Sequence, residues 1–217
     1  MTIQTSITLF GFILHEPVTV LTDLIWCAGC VLFSYKVSKY NVKYWPLFFA
    51  SMALATFFGA LGHGLFADKN NMFQMISRLG GVISVYVASI ASLFLLTKSR
   101  GILFLYIFSF IQVSIAILLV VMYNEFWVVK LNGTIGVGVL VAGIHFSLSL
   151  KGSKGSIYIL SGIILNSITW FIHKYEISPS YWFNHNDLSH IILLFGFYLM
   201  AHGAIQLPNY TNAKVLS

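Results

Sequence analysis

The chain has 217 residues, of which 58% are hydrophobic and only 8% are charged. This composition excludes an ordinary soluble domain, in which roughly 25% of the residues are charged. The net charge of +6 does not indicate a nucleic-acid partner, because the basic residues are sorted between particular connections of the chain. At about 20 apolar residues per crossing, the length leaves room for about seven membrane-spanning helices.

The apolar runs between polar breaks predict an all-α integral membrane protein, a bundle of seven transmembrane helices that forms one domain over residues 1–217. Residues 1–14 contain an apolar run without a basic segment or a small-residue cleavage site, so an interfacial or partly buried segment is expected rather than a signal peptide. In chain order, the helices are expected over Val18–Tyr35, Trp45–Phe66, Leu79–Leu96, Ile102–Tyr123, Ile135–Leu150, Ile157–Ile172 and Leu188–Leu207.

The basic residues predict the orientation of these helices. On one side of the membrane the predicted connections and tail carry Lys36, Lys39, Lys43, Lys98, Arg100, Lys151, Lys154 and Lys214. The other side carries Lys69, Arg78, Lys130 and Lys174. The positive-inside rule therefore predicts an outside N-terminus and a cytoplasmic C-terminus, as in a multi-pass protein of the bacterial inner membrane or an equivalent membrane.

Four residues with reactive or metal-binding side chains have structural interpretations. Cys27 and Cys30 lie one turn apart in the first predicted helix, and a single CxxC buried in lipid indicates two small packing residues. His145 and His202 fall near the inner ends of the fifth and seventh helices, where hydrogen-bonded interhelical or interfacial histidines are expected.

A second group of polar residues converges on one layer near the outer face. Asp23 lies one to two turns into the first helix, and His63 lies about one turn before the end of the second. Asp187 and His190 lie at the start of the seventh helix, and Glu16 precedes the first. An ionisable residue at membrane depth is costly and indicates a functional site.

The stretch NHNDLSH around the start of the seventh helix shows how these side chains can share a face. Asn184 is a good N-cap, which makes Asp187 the N3 residue beside the positive end of the helix dipole. Asp187 and His190 are three residues apart and share a helix face. His185 is five residues before His190 and reaches the same centre only if the first turn is irregular.

Imidazoles and carboxylates at one depth predict a zinc centre. We expect His63 and His190 as ligands, with either His185 or Asp187 as the third. Asp23 and Asp187 are the candidate catalytic carboxylates, with Asp23 a partner of a ligand or the general base. Zinc lowers the pKa of its bound water to about 7. Near the outer lipid surface, a zinc-bound hydroxide could attack a carbonyl close to a lipid headgroup. The predicted reaction is therefore hydrolysis of a lipid amide or ester.

The segments TFFGALGHGLF, FNHNDLSH and HEPVTVLTD, together with the seven helices, resemble the superfamily of the alkaline ceramidases and the progestin and adipoQ receptors. In that superfamily one histidine of helix 2 and two of helix 7 hold zinc, and a serine and an aspartate complete the site. The resemblance implies a ceramidase-like hydrolase in which His63 and His190 are ligands. The N-outside orientation is similar to that of the ceramidases and favours the enzyme branch.

The chain departs from this pattern at three points. The helix 7 motif is histidine, three residues, histidine, and Asn186 occupies its first slot. Gly59 stands one turn before His63, where the family has serine, and Thr56 lies another turn back. The predicted third helix opens after Arg78 and contains no aspartate.

These departures leave two alternatives to the hydrolase. One is a lipid receptor or sensor in which the metal is structural only. The other is a haem or proton-handling membrane protein, since His63 and His190 lie at matching depths. The sequence predicts a membrane-lipid partner but leaves the lipid and the oligomeric state open.

Overall fold

The computed structural model describes residues 5–96 and 100–215. Within that part of the chain, seven helices are long and apolar enough to cross a membrane, which confirms the predicted helical bundle. The helices are α1 (Pro17–Ser38), α2 (Trp45–Leu65), α3 (Met72–Leu93), α4 (Arg100–Tyr123), α5 (Phe126–Leu150), α6 (Lys154–Lys174) and α7 (His185–Val215). Two strands precede them, β1 (Ser6–Leu9) and β2 (Phe12–His15).

The two strands form an antiparallel hairpin in the N-terminal segment. Its turn contains Phe10 and Gly11, both with positive φ, at 50° and 84°. Such turns match the twist of paired strands. The backbone N–H of Glu16 donates to the carbonyl of Thr5 over 2.8 Å. The hairpin therefore fixes the residue that immediately precedes α1.

The third helix begins earlier than the apolar pattern predicts. It starts at Met72 rather than Leu79 because the side chain of Asn71 caps it, accepting from the backbone N–H of Gln74 over 3.0 Å. The hydropathy pattern missed the first part of this helix because that part contains the polar residues Gln74, Ser77 and Arg78. As a consequence, Ser77 belongs to this helix.

The fifth helix also starts earlier, at Phe126 instead of Ile135. Its middle, Thr134–Val141, is a π-helical stretch that includes two of its four glycines. Wider π turns shift the helix register without ending it. The apolar periodicity therefore captured only the second half of this helix.

The sixth and seventh helices pack closely through small residues. A Cβ built on Gly203 would lie 2.5 Å from the carbonyl oxygen of Gly155, and a Cβ on Gly155 would lie 2.6 Å from that of Gly203. Small residues are the usual means of close helix approach in a bilayer. This contact positions α7, which also packs against α1 and carries the start of the candidate site.

Two ends of the bundle can now be distinguished. The end that holds the starts of α1, α3 and α7 and the ends of α2 and α6 is called the site end, and the other is called the opposite end. Near the opposite end, the fully buried His145 bonds to the hydroxyls of Ser92 and Ser156, at 3.2 and 3.0 Å. This confirms the predicted hydrogen-bonded interhelical histidine. Cys27 and Cys30 are free thiols.

Candidate functional site

The first and seventh helices meet at the site end through polar side chains. His190 Nε2 lies 3.5 Å from Asp23 Oδ1. Thr22 Oγ1 lies 3.0 Å from His190 Nδ1 and 3.5 Å from Asp187 Oδ1. Asp23 is 4% exposed and Asp187 is fully buried. The structure therefore brings together three of the five residues that the sequence singled out.

His63 of the second helix is held by a different carboxylate. Its Nδ1 lies 2.5 Å from Glu16 Oε2, and the ammonium of Lys69 lies 3.5 Å from Glu16 Oε1. Burial raises the pKa of the Glu16 carboxyl, but the hydrogen bond and charge of His63 and the charge of Lys69 outweigh burial, so the pKa lies below its ordinary value of 4.5. Glu16 is therefore an ionised acceptor for His63, which also interacts electrostatically with Asp23 and His190.

A glycine of the second helix leaves room beside Asp23. A Cβ built on Gly59 would lie 3.2 Å from Asp23 Oδ2 and 3.3 Å from Ser77 Oγ. Asp23 Oδ2 is buried and has no hydrogen-bond partner within the described ranges. Ser77, which sequence reasoning missed, thus supplies a hydroxyl from α3 near the place where the family resemblance expects a serine on α2.

The start of the seventh helix is a reciprocal cap. Asn184 Oδ1 accepts from the backbone N–H of Asn186 over 2.7 Å, and Asp187 Oδ2 accepts from the backbone N–H of Asn184 over 2.7 Å. This confirms Asn184 as the N-cap and Asp187 as the N3 residue. Because only one oxygen of Asp187 is used in the cap, its other oxygen faces Thr22.

The side chain of His185 contacts His173. Its ring centroid lies 5.3 Å from that of His173 on α6. The helix begins regularly at His185, so this side chain follows the direction expected of a regular first turn. Among the described residues, no group of three histidine, cysteine, aspartate or glutamate side chains is arranged to hold a metal ion.

The hydrogen bonds of His190 bear on which of its ring nitrogens carries the proton. Thr22 has one hydroxyl proton and two acceptors beside it, Thr19 O at 3.0 Å and Asp187 Oδ1 at 3.5 Å. In the tautomer with the proton on Nδ1, His190 donates to the Thr22 oxygen and keeps a lone pair on Nε2. That lone pair faces Asp23 Oδ1 at 3.5 Å. In this tautomer a proton or a cation is needed between the two acceptors, whereas in the other tautomer Nε2–H points to the Asp23 carboxylate.

His63 also has one ring nitrogen in a hydrogen bond and the other without a partner among the described residues. In the neutral His63 ring, Nδ1–H donates to the ionised Glu16 and Nε2 carries the lone pair. Nε2 has no hydrogen-bond partner in the part of the chain that the structure describes. A metal-binding histidine normally has one ring nitrogen engaged in this way and the other free. Imidazole nitrogens and carboxylate oxygens, such as the unpartnered Asp23 Oδ2, are donor types that zinc binds.

A small cavity lies next to this group of residues. It has a volume of about 30 Å³ and is lined by Glu16, Lys69 and Asn184, among others. A cavity of this size holds about one water molecule when polar groups surround it. Water can therefore occupy a position beside Glu16.

A family model described as a family of unknown function, DUF6962, matches residues 18–209. The chain belongs to this family, and the match includes the seven apolar helices almost entirely. No curated protein and no solved structure matches the chain. The resemblance to the ceramidase superfamily therefore depends on the quoted residues and stays a prediction.

Proposed function

We propose that this protein is a membrane-embedded, zinc-dependent hydrolase that acts on a lipid amide or ester. The observation that carries the proposal is the close approach of His190 Nε2 to Asp23 Oδ1, which lie 3.5 Å apart. His63, with its own free Nε2, lies within electrostatic range of both residues. A divalent cation held by His63 and His190 would have the Asp23 carboxylate beside it as a proton acceptor.

Each site residue then has a distinct task. His63 and His190 hold the ion through Nε2, and Glu16 and Thr22 orient the two rings through Nδ1. Zinc, when bound, supplies a water of lowered pKa, about 7, and polarises a carbonyl. Asp23, whose Oδ2 has no hydrogen-bond partner within the described ranges, takes up a proton as general base.

The surroundings of Asp23 support a lipid substrate. Leu21, Leu24 and Ile25, its neighbours on α1, are 56, 42 and 49% exposed. In a membrane-spanning helix, such side chains face acyl chains. A lipid at this helix can place a carbonyl near its headgroup at the depth of Asp23. With the proposed N-outside orientation, the site lies near the outer face of a bacterial inner membrane or an equivalent membrane.

Metal analysis of the purified protein tests the zinc site. We expect about one zinc ion per chain, little zinc in His63→Ala, and full zinc in His202→Ala. His202 is a matched control because it is an exposed histidine near the opposite end. Zinc-free wild-type protein after purification in zinc-containing buffer, or equal zinc in both variants, would overturn the proposed centre.

Release of fatty acid from defined lipids tests the reaction. Asp23→Asn is expected to lower turnover by about 10²- to 10⁴-fold while zinc stays bound, because the variant loses the general base. If the zinc-loaded wild type hydrolyses no amide or ester lipid, the protein is a receptor or sensor instead.

A proton-handling function is the second candidate. It is favoured by the connected series Asp23, His190, Thr22 and Asp187, in which a proton can bridge the facing acceptors. Zinc-free protein in vesicles that shows proton uptake lost in Asp23→Asn would support it. A colourless purified protein excludes the haem version of this function.

A further inference from the structure

The opposite end of the bundle contains the larger of the two cavities described here. It has a volume of about 230 Å³ and lies between the α1–α2 connection, the end of α3 and α7. A water molecule occupies about 30 Å³ in the liquid, so this cavity has room for a polar headgroup. Its lining includes Asn41, Lys43, Trp45, Phe94 and Leu95.

The charge distribution around this cavity is one-sided. All six acidic residues of the sequence lie at the site end, namely Glu16, Asp23, Asp68, Glu125, Glu176 and Asp187. Among the described residues, no acidic side chain therefore lies at the end of the bundle that holds Lys43. The ammonium of Lys43 instead lies 4.6 Å from the centroid of the Phe94 ring. A cation in this position is complementary to an external anion.

One residue that lines the cavity, Trp45, has a polar group without a hydrogen-bond partner among the described residues. Trp45 is 1% exposed, and its indole N–H has no hydrogen-bond partner among the described residues. Trp45 is the first residue of α2, so the positive end of that helix dipole lies at the same wall. An ammonium, an indole N–H and a helix start all favour a ligand that accepts hydrogen bonds and carries negative charge.

We propose that this cavity binds the headgroup of an anionic phospholipid. The apolar part of the wall distinguishes a lipid from a free phosphate ion. Phe94 is 48% exposed and Leu95 continues the wall beside it, which provides a surface for the glycerol and the first acyl carbons. This site lies at the other end of the bundle from the proposed zinc centre and does not depend on it.

Thermal unfolding of the full chain in neutral detergent tests the site. Dioleoyl phosphatidylglycerol is expected to raise the unfolding temperature, because a ligand that binds the folded state stabilises it. Dioleoyl phosphatidylcholine and inorganic phosphate at the same concentration are expected to leave it unchanged. Lys43→Gln is expected to lose at least about half of the shift.

Lys39→Gln is the matched control. Lys39 is exposed at the same end and also lies over an aromatic ring, 4.2 Å from the Tyr35 centroid, but it does not line the cavity. It should retain the full shift. Equal losses in the two variants would mean diffuse attraction and overturn the site. No shift with phosphatidylglycerol, an equal shift with phosphatidylcholine, or an equal shift with phosphate alone would also overturn it.

Discussion

Glu16 links the N-terminal hairpin to the candidate site through one short hydrogen bond with His63. Because the pKa of its carboxyl in the folded protein lies below 4.5, the ionised side chain stabilises the fold above that pH. This contribution is lost as the pH falls through the folded-state pKa. Glu16→Gln is therefore expected to lower the free energy of unfolding by about 1–2 kcal/mol near neutral pH, with a difference that shrinks in acid.

Unfolding curves recorded from pH 7 down to about 3 measure this difference. Glu176→Gln is the matched control, since Glu176 is an exposed glutamate at the same end. The control should unfold like the wild type throughout. A Glu16→Gln effect that stayed constant over the whole pH range would contradict the carboxylate pairing.

The residues of the site were predictable to different degrees. Asp23, Asp187 and His190 could be identified because helix spacing and depth place them in one layer. Ser77 could not, because the apolar pattern predicted that α3 begins at Leu79, two residues after it. Thr22 and Glu16 gave no signal for their hydrogen bonds to histidines, which depend on how α1 is rotated against α2 and α7.

At the scale of helices, the close backbone approach of α6 and α7 at Gly155 and Gly203 can be tested by substitution. Gly203→Ala would place a Cβ 2.5 Å from a backbone carbonyl, which cannot move aside without separating the helices. We expect a loss of stability of about 1–3 kcal/mol. Gly143→Ala is the control, because a Cβ there meets nothing within 4 Å. The test is thermal unfolding of both variants. An unfolding temperature of Gly203→Ala equal to that of the wild type would refute the close packing.

The number of helices was predictable because each crossing needs a long apolar run. The ends of the helices were less predictable, because capping residues such as Asn71 extend helices into polar sequence. The π-helical stretch Thr134–Val141 and the Phe10–Gly11 turn of the hairpin had no clear sequence signal. Backbone geometry of this kind depends on neighbouring elements rather than on hydrophobic periodicity.

For the whole molecule, the separation of charges is the main organising feature. All acidic residues lie at one end of the bundle, and most basic residues belong to the connections at the other. Carboxylates at the site end provide the metal-binding chemistry that we propose. The excess of basic residues at the opposite end suits an anionic lipid surface. Both proposals therefore require a fixed orientation in the membrane.

Cysteine labelling tests that orientation in a background with Cys27 and Cys30 replaced by serine. Tyr175, which is 65% exposed, follows α6 at the site end, and Lys151 is exposed at the opposite end. The positive-inside rule predicts that a membrane-impermeant maleimide labels Tyr175→Cys in intact cells and labels Lys151→Cys only after lysis. The reverse pattern would place the histidines and carboxylates on the cytoplasmic side. A lipid substrate would then have to come from the inner leaflet.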